Sequence, residues 1–279
     1  MKTLYITDLD GTLLNNDALM SGEASELVSE LTERGAIISV ATARTPATVE
    51  PILADTLTAN ELVVMTGAAI WNRAQSRFSS IKLLPAEDVE VMLKVFSDRG
   101  LRPFCYVLNE DNRFLDVYHP AKELTEHEKL FVYERAQLTL KGFHLGECCP
   151  PTSYGRVALF FGMGSKEEIV DVAELLSAKT DCYISYYKDT YTPELWLLEI
   201  FAPGVSKAQG VLDLKKRLGA DRVVAFGDNL NDIPMLQAAD VAVAVANALP
   251  EVKAIADCVI GYNTECSVPR FIRRDFENG

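Results

Sequence analysis

Short apolar runs, each followed by small polar or acidic residues, recur at both ends of the chain and alternate with segments of helical periodicity. Residues 4–7 and 36–40 form the first two runs, and residues 223–226 and 241–244 repeat the pattern near the C-terminus. Runs of this length and apolarity are typical of strands that are buried on both faces, as in parallel sheets covered by helices. The pattern therefore predicts an α/β fold whose core is a Rossmann-like, doubly wound parallel sheet.

The middle of the chain interrupts this alternation. A helical segment at residues 85–99 is followed by strand-like runs, and Ser165 with Glu168 has the spacing of a capping box at the start of another helix. We interpret this part as an inserted α+β cap domain at residues 82–188. The predicted core domain then consists of residues 1–81 and 189–279.

The charge balance limits the partners of the chain. The 279 residues carry a formal net charge of −13 at pH 7, and an acidic surface of this size repels nucleic acids and anionic lipids at long range. A small phosphorylated metabolite is still compatible, because the potential inside a pocket depends on nearby cations and metal ions. We therefore expect a small-molecule partner, no nucleic acid, no membrane, and a monomer or small homo-oligomer.

The sequence shows no targeting signal and no cysteine-based site. Asp8 interrupts the N-terminal apolar stretch before a signal peptide can form, and no segment is long and apolar enough for a membrane span. The six cysteines include no C-x-x-C pair, and the three histidines lack H-E-x-x-H spacing. We expect a cytoplasmic protein with reduced structural thiols and without a histidine zinc site.

The string DLDGTLL at residues 8–14 is the most specific motif. It places Asp8 and Asp10 directly after a predicted buried strand, on the same side of the chain if the extended geometry continues, and Gly11 permits a sharp turn immediately afterwards. One carboxylate could attack phosphorus while the other transfers the proton. Aspartates in loops more often cap helices or face water, but the position of the whole string after a strand favours the catalytic interpretation.

Two carboxylates repel a phosphate dianion unless cations offset their charge, so this hypothesis requires a metal ion and a basic side chain. The string GDNLND at residues 227–232 contains Asp228 and Asp232, hard oxygen donors that suit Mg²⁺ and do not suit zinc. Lys207 stands at the predicted start of a helix, where its ammonium and the helix N-terminus could face an anion. Thr42 follows the second predicted strand and can offer a hydroxyl to phosphate oxygens.

Taken in chain order, these four pieces resemble the four motifs of the haloacid dehalogenase (HAD) superfamily of phosphohydrolases, and the insertion resembles its large α/β cap. The resemblance covers nearly the whole chain and is closest to the Cof-like bacterial phosphatases. The string GDNLNDIPML at residues 227–236 is similar to their fourth motif, and VAVANA at residues 243–248 matches their usual downstream run. The resemblance implies a Mg²⁺-dependent phosphoric monoester hydrolase that acts through an aspartyl-phosphate, with sugar phosphates as the expected substrates.

The resemblance also implies roles for individual residues. Asp8 would be the nucleophile and a Mg²⁺ ligand, and Asp10 the general acid/base, whose backbone carbonyl also binds the metal. Asp228 would ligate Mg²⁺ with the support of Asp232, and Lys207 would neutralise charge on the nucleophile and the phosphoryl group. The remaining residues expected at the substrate are Thr42, which would bind phosphate, together with Leu9, Ala43, Arg44 and Asn231.

Three positions depart from the Cof-like pattern. Thr66 stands where asparagine usually precedes the glycine, Ala43 replaces the commoner glycine after Thr42, and the run CSV at residues 266–268 replaces an acidic-glycine pair. None of these changes removes a catalytic group. A substrate contact made by the missing asparagine amide would be altered or absent.

The same residues are also compatible with other functions. A sugar phosphomutase or phosphotransferase would use the same aspartyl-phosphate, and only the release of phosphate distinguishes a hydrolase from it. A receiver-type signalling module also uses a phosphorylated aspartate, but such modules are single small domains without a long insertion. Further candidates for contact with the leaving group lie at the predicted return from cap to core, although such hinge residues are more often packed or solvated: Tyr186, Tyr187, Lys188 and Asp189.

Overall fold

The strands and helices alternate along the chain much as the apolar pattern predicts. The computed structural model describes residues 1–189, Thr192 and residues 194–278. Its strands are β1 (Thr3–Thr7), β2 (Ile37–Val40), β3 (Glu61–Val64), β4 (Ala69–Asn72), β5 (Arg77–Ile81), β6 (Phe104–Leu108), β7 (Leu115–His119), β8 (Lys141–Leu145), β9 (Val157–Gly164), β10 (Tyr183–Lys188), β11 (Trp196–Phe201), β12 (Arg222–Gly227), β13 (Val241–Ala244) and β14 (Cys258–Val259). Its helices are α1 (Gly22–Glu33), α2 (Pro46–Val49), α3 (Ala86–Arg99), α4 (Glu126–Arg135), α5 (Lys166–Ser177), α6 (Lys207–Leu218), α7 (Ile233–Ala238), α8 (Pro250–Ile255) and α9 (Ser267–Asn278).

These elements belong to two units. The core unit comprises Met1–Ser80 and Ser206–Gly279, and the cap unit comprises Ile81–Val205. The predicted domain boundaries stay a prediction, and the two units differ from them most after residue 188. There β11 pairs with both β10 and β9 of the cap sheet, so residues 189–205 stay with the cap unit.

A five-stranded parallel sheet forms the centre of the core unit, in the order β14-β13-β12-β1-β2. In β1, Leu4, Tyr5 and Ile6 are all buried, as expected for a strand covered on both faces. The chain adds β2 on one side of β1 and β12 on the other, so the strand order reverses at β1. In open parallel sheets, ligands bind outside the carboxyl ends of the strands at such a reversal.

The cap unit contains a six-stranded sheet in the order β10-β11-β9-β6-β7-β8, antiparallel except for the pair β7 and β8. Helices α3 and α5 cover one face, where Phe96 and Val172 pack in a cluster with Phe160. Because successive strand residues face opposite sides, Phe161 points to the other face. There it stacks on Phe131 of α4, with 5.0 Å between ring centroids.

The predicted fold class is confirmed, since a parallel α/β sheet forms the core and an α+β cap is inserted into it. In the described part of the chain, no helix has both the length and the apolar composition needed to cross a membrane.

The predicted capping box at the start of α5 is confirmed and can be tested by mutation. Ser165 Oγ accepts from Glu168 N, and the Glu168 carboxylate accepts from Ser165 N at 2.8 Å. Ser165→Ala removes the acceptor of an otherwise unpaired N–H, so we expect the free energy of unfolding in urea titrations to fall by about 1 kcal/mol. Ser97→Ala makes the same change inside α3 and should alter this free energy by less than about 0.5 kcal/mol; equal effects would contradict the capping role.

Candidate active site

Three loops that follow neighbouring strands bring the predicted site residues to one edge of the core sheet. Asp8 directly follows β1, Thr42 lies two residues past β2, and Asp228 directly follows β12. Because the sheet is parallel, the carboxyl ends of these strands meet at the same edge. The Asp8 N–H donates to the Phe226 carbonyl oxygen at 3.0 Å, which holds Asp8 in register with β12.

The turn Leu9–Leu13 brings the first motif against the loop that follows β12. Gly11 has a φ of 78°, a left-handed conformation that residues with a side chain rarely adopt. A Cβ atom at Gly11 would lie 2.5 Å from Asp228 Oδ2, so this close approach requires glycine. Thr12 Oγ1 donates to Asp228 Oδ1 at 2.8 Å and ties the turn to the carboxylate.

Lys207 connects two of the carboxylates. It is the first residue of α6, only 1% exposed, and its Nζ donates to Asp8 Oδ1 at 2.5 Å and to Asp232 Oδ1 at 2.6 Å. The other oxygen of Asp232 accepts hydrogen bonds from the N–H groups of Asp228 and Asn229, each at 3.0 Å. Asp232 therefore orients both the ammonium and the loop that carries Asp228.

The charges of this cluster do not balance without a further cation. One oxygen from each of Asp8, Asp228 and Asp232 lies within 4.8 Å of the others. Burial raises the pKa of Asp8 to about 8, although Lys207 opposes the shift, and burial raises the pKa of Asp228 to about 6. Burial alone would lower the pKa of Lys207, but the attraction of Asp8 and Asp232 raises it above its usual value. Three carboxylates face one ammonium in this cluster, which makes it a candidate metal site.

Asp10 has a different partner and is much more exposed than Asp8. Arg44 Nε donates to Asp10 Oδ2 at 2.7 Å and Arg44 Nη2 donates to Oδ1 at 2.6 Å, while the Asp10 side chain stays 50% exposed. The backbone N–H of Arg44 donates to Thr42 Oγ1 at 3.2 Å, and Thr42 itself is buried. The two carboxylates of the first motif therefore differ, one buried on a lysine and one exposed on an arginine.

The other predicted residues lie in varied surroundings. Leu9 is fully buried, so its side chain packs in the core, whereas Ala43 is half-buried beside Thr42. Asn231 is exposed on the 3₁₀ turn that ends at Asp232. The four candidates for leaving-group contact lie in the cap unit, in β10 or directly after it: Tyr186, Tyr187, Lys188 and Asp189.

Two asparagines that were not among the predicted site residues also hold the first turn. Asn247 Nδ2 donates to the Gly11 carbonyl at 2.6 Å, and Asn247 Oδ1 accepts from the Asn263 N–H at 3.1 Å. Asn263 Nδ2 donates to the Leu14 carbonyl at 2.8 Å. Asn247 lies in the VAVANA run, which was the available sequence signal, whereas nothing around Asn263 marks it.

Proteins with curated names match almost the entire chain. A putative phosphatase from Haemophilus influenzae is 26% identical over 278 residues, which cover 99% of both chains. A 5-amino-6-(5-phospho-D-ribitylamino)uracil phosphatase from Bacillus subtilis is 25% identical over 276 residues, which cover 97% of this chain and 94% of the relative. Both of these relatives are named as phosphatases.

A solved structure shares the fold. A sugar phosphatase of HAD subclass IIB superposes with a TM-score of 0.73 at 23% identity, over 98% of each chain. The family model for haloacid dehalogenase-like hydrolases matches residues 5–272, which confirms the resemblance carried by the four motifs. The chain therefore belongs to the haloacid dehalogenase-like hydrolases, and within that family it is a phosphoric monoester hydrolase.

Proposed function

We propose that this phosphatase requires Mg²⁺, forms a phosphorylated intermediate on Asp8, and releases phosphate from small phosphorylated metabolites, chiefly sugar phosphates. The observation that carries the proposal is the hydrogen bond from Lys207 Nζ to Asp8 Oδ1 inside a cluster of three carboxylates. This bond orients a buried carboxylate and places positive charge beside it, which is the arrangement that attack on an anionic phosphate ester needs.

The donor set supports Mg²⁺ as the cofactor. The cluster offers only carboxylate oxygens, and Mg²⁺ typically takes one or two carboxylates together with water and substrate phosphate. Asp232 is already engaged by Lys207 and by two backbone N–H groups, so we assign Asp8, Asp228 and the backbone carbonyl of Asp10 to the metal, with Asp232 supporting them. When bound, Mg²⁺ would neutralise charge on the carboxylates and on the phosphoryl oxygens.

Asp8 is the group that we assign to nucleophilic attack. Its carboxylate is buried and bonded to Lys207, so little solvent reorganisation is needed when it approaches phosphorus. Attack by one oxygen forms a carboxyl–phosphate bond and breaks the bond from phosphorus to the leaving oxygen. Water then attacks the phosphorus of this intermediate, which restores the Asp8 carboxylate and releases inorganic phosphate.

Asp10 is the group that we assign to proton transfer. It would protonate the leaving oxygen in the first step and take a proton from the attacking water in the second. Its two oxygens accept hydrogen bonds from Arg44 Nε and Nη2. A guanidinium also binds phosphate oxygens in a bidentate manner, so movement of Arg44 from Asp10 to the substrate would free Asp10 for this exchange.

Thr42 is the group that we assign to phosphate binding, next to Ala43. The Thr42 oxygen accepts from the Arg44 N–H at 3.2 Å, and a hydroxyl that accepts in this way still has its O–H proton to donate. A phosphate oxygen would accept a hydrogen bond from that O–H group. Exposed Asn231 would contact the substrate from the loop that carries Asp232.

The first prediction for this function concerns protons. Binding of Mg²⁺ near pH 7 should release about one proton per metal, because burial raises the pKa of Asp8 to about 8 and a cation displaces the proton that Asp8 then carries. Near pH 9.5 Asp8 is already ionised, so most of this release should disappear. Calorimetric titrations in buffers of different ionisation enthalpy count the protons, and a heat that is independent of the buffer would contradict the assignment.

Asp228→Asn and Asp98→Asn form a matched pair for this titration. Asp228 contributes to the acidic cluster, so its replacement should weaken Mg²⁺ binding strongly. Asp98 lies on α3 and pairs with Lys94 at the surface, so its replacement should leave the titration unchanged. A Mg²⁺ affinity that survives in Asp228→Asn would place the metal elsewhere.

The second prediction separates the two carboxylates of the first motif. Asp8→Asn should abolish turnover and leave no phosphoryl adduct, because an amide cannot act as the nucleophile. Asp10→Asn should slow turnover by about 10²–10⁴-fold, the usual contribution of general acid/base catalysis. With an activated aryl phosphate the leaving group needs no proton, so the first step should suffer less than the second and phosphate should accumulate on Asp8.

Rapid quench followed by mass spectrometry measures this adduct. The expected result is one phosphoryl group on the peptide that contains Asp8, and an adduct on a serine or histidine would show that the mechanism is different. Because an asparagine before Gly11 can deamidate back to aspartate, Asp10→Ala serves as the confirming variant. Near-native turnover of Asp8→Asn would also contradict the proposed mechanism.

The third prediction distinguishes hydrolysis from transfer to another acceptor. In a screen of phosphorylated metabolites with Mg²⁺, sugar phosphates should release inorganic phosphate in amounts equal to the substrate consumed. An isomerised sugar phosphate without net phosphate release would instead identify a phosphomutase. Activity confined to substrates without a sugar or polyol would contradict the proposed substrate class.

A further inference from the structure

The loop that follows β13 contacts both turns that we assign to the metal. Asn247 Nδ2 donates to the Gly11 carbonyl at 2.6 Å, next to the Asp10 carbonyl in the chain. Two residues later, the Leu249 N–H donates to the Asp228 carbonyl at 2.9 Å. One short segment therefore connects the backbone around Asp10 to the backbone of Asp228.

Asn263 determines which way the Asn247 amide faces. The Asn263 N–H donates to Asn247 Oδ1 at 3.1 Å, so this end of the amide must be the oxygen and the NH₂ group must face Gly11. Asn263 is itself only 7% exposed and is anchored through Nδ2 to the Leu14 carbonyl at 2.8 Å and to Asn16 Oδ1 at 3.2 Å. Asn247 thus has a single amide orientation, although it is exposed.

We propose that Asn247, oriented by Asn263, is a positioning residue that sets the spacing between the turn at Asp10 and Gly11 and the loop that carries Asp228, and that it thereby favours Mg²⁺ over larger divalent cations such as Ca²⁺. The inference rests on the proposed function, because it takes Asp8, Asp228 and the Asp10 carbonyl as the metal ligands. The proposed role of Asn247 is to fix the position of the turn. Asn247 lies outside the acidic cluster and donates to the Gly11 carbonyl, so we do not assign it to the metal as a ligand.

Mg²⁺ and Ca²⁺ differ in how strictly their binding depends on the spacing of the ligands. Mg²⁺ requires nearly octahedral oxygen ligands at about 2.0–2.1 Å, whereas Ca²⁺ accepts variable geometries at about 2.3–2.6 Å. The turn approaches Asp228 too closely for any residue with a side chain, since a Cβ at Gly11 would lie 2.5 Å from Asp228 Oδ2. Loss of the Asn247 hydrogen bond lets this turn relax away from Asp228, which costs Mg²⁺ binding more than Ca²⁺ binding.

Asn247→Ala tests the proposal through metal affinity measured by calorimetry. We expect Mg²⁺ to bind about 3- to 10-fold more weakly, the range for the net loss of one hydrogen bond, while the Ca²⁺ affinity changes by less than about twofold. The Mg²⁺ concentration for half-maximal phosphatase activity should rise by the same factor, with kcat at saturating Mg²⁺ nearly retained. An unchanged Mg²⁺ affinity, or equal losses for both cations, would overturn the inference.

Two further variants serve as controls. Asn278 Nδ2 donates to the Arg274 carbonyl at 2.6 Å on the C-terminal helix, so Asn278→Ala removes a bond of the same type and length and should leave both affinities unchanged. Asn263→Ala keeps the backbone N–H that donates to Asn247 Oδ1 and removes only the side-chain anchor on Leu14 and Asn16. We therefore expect it to weaken Mg²⁺ binding less than Asn247→Ala does. A larger loss in Asn263→Ala than in Asn247→Ala would contradict the role assigned to the Asn247 amide.

Mg²⁺ binding to the unmodified protein shows whether a negative result contradicts the positioning role or the proposed function on which it rests. If the unmodified protein fails to bind Mg²⁺ in the same calorimeter, the proposed cofactor is wrong and the inference falls with it. If it binds Mg²⁺ and Asn247→Ala binds equally well, only the positioning role is wrong. Urea unfolding of each variant checks that the fold is intact, which we expect for Asn247→Ala because this side chain is exposed.

Discussion

The hydrogen bonds from the Lys207 ammonium to Asp8 and Asp232 are the interaction on which the rest of the site depends. All three side chains are buried, and removing one partner from a buried ion pair typically costs about 3–5 kcal/mol because the remaining charge is left unpaired. Asp232 carries the constraint further, since its second oxygen accepts from the N–H groups of the loop with Asp228. Asp8, Lys207 and the loop that carries Asp228 are therefore one connected arrangement.

The same cluster has three carboxylates and only one ammonium. This excess of negative charge follows from the fold. Parallel strands bring Asp8 and Asp228 to one edge of the sheet, and the glycine at position 11 lets the first turn lie against Asp228. Burial raises the pKa of Asp8 and of Asp228, and the charge of Asp232 adds to both shifts. A fold that concentrates acidic groups in this way needs cations at the same edge, and one lysine supplies only part of that charge.

Much of this site could be predicted because it follows from local motifs and one topological rule. Asp8, Thr42, Lys207 and Asp228 each stand at a strand end or helix start that the apolar pattern marks, and a parallel sheet must bring such ends together. The bond from Asn247 to Gly11 could not be predicted, because it joins an amide to a carbonyl 236 residues away and leaves no periodic signal.

The pairing of β11 with the cap sheet is not evident from the sequence for a related reason. The run at residues 183–188 is recognisable as a strand, but nothing in it shows that the next strand, β11, would pair with it rather than join the core sheet. That pairing depends on hydrogen bonds between β10, β11 and β9 across the cap. Strand order within a sheet is set by such long-range packing, which a single sequence does not display.

The two carboxylates of the first motif lie in different surroundings, which fit the different roles that we propose for them. Asp8 lies inside the protein on an ammonium, where it is shielded from water and fixed in direction. Asp10, two residues later, is half exposed and bonded to an arginine that can itself bind anions. A nucleophile gains from dehydration and orientation, whereas a group that must both give and accept a proton needs access to water and to the leaving oxygen. The different partners, Lys207 for Asp8 and Arg44 for Asp10, give two carboxylates of one short string two such different environments.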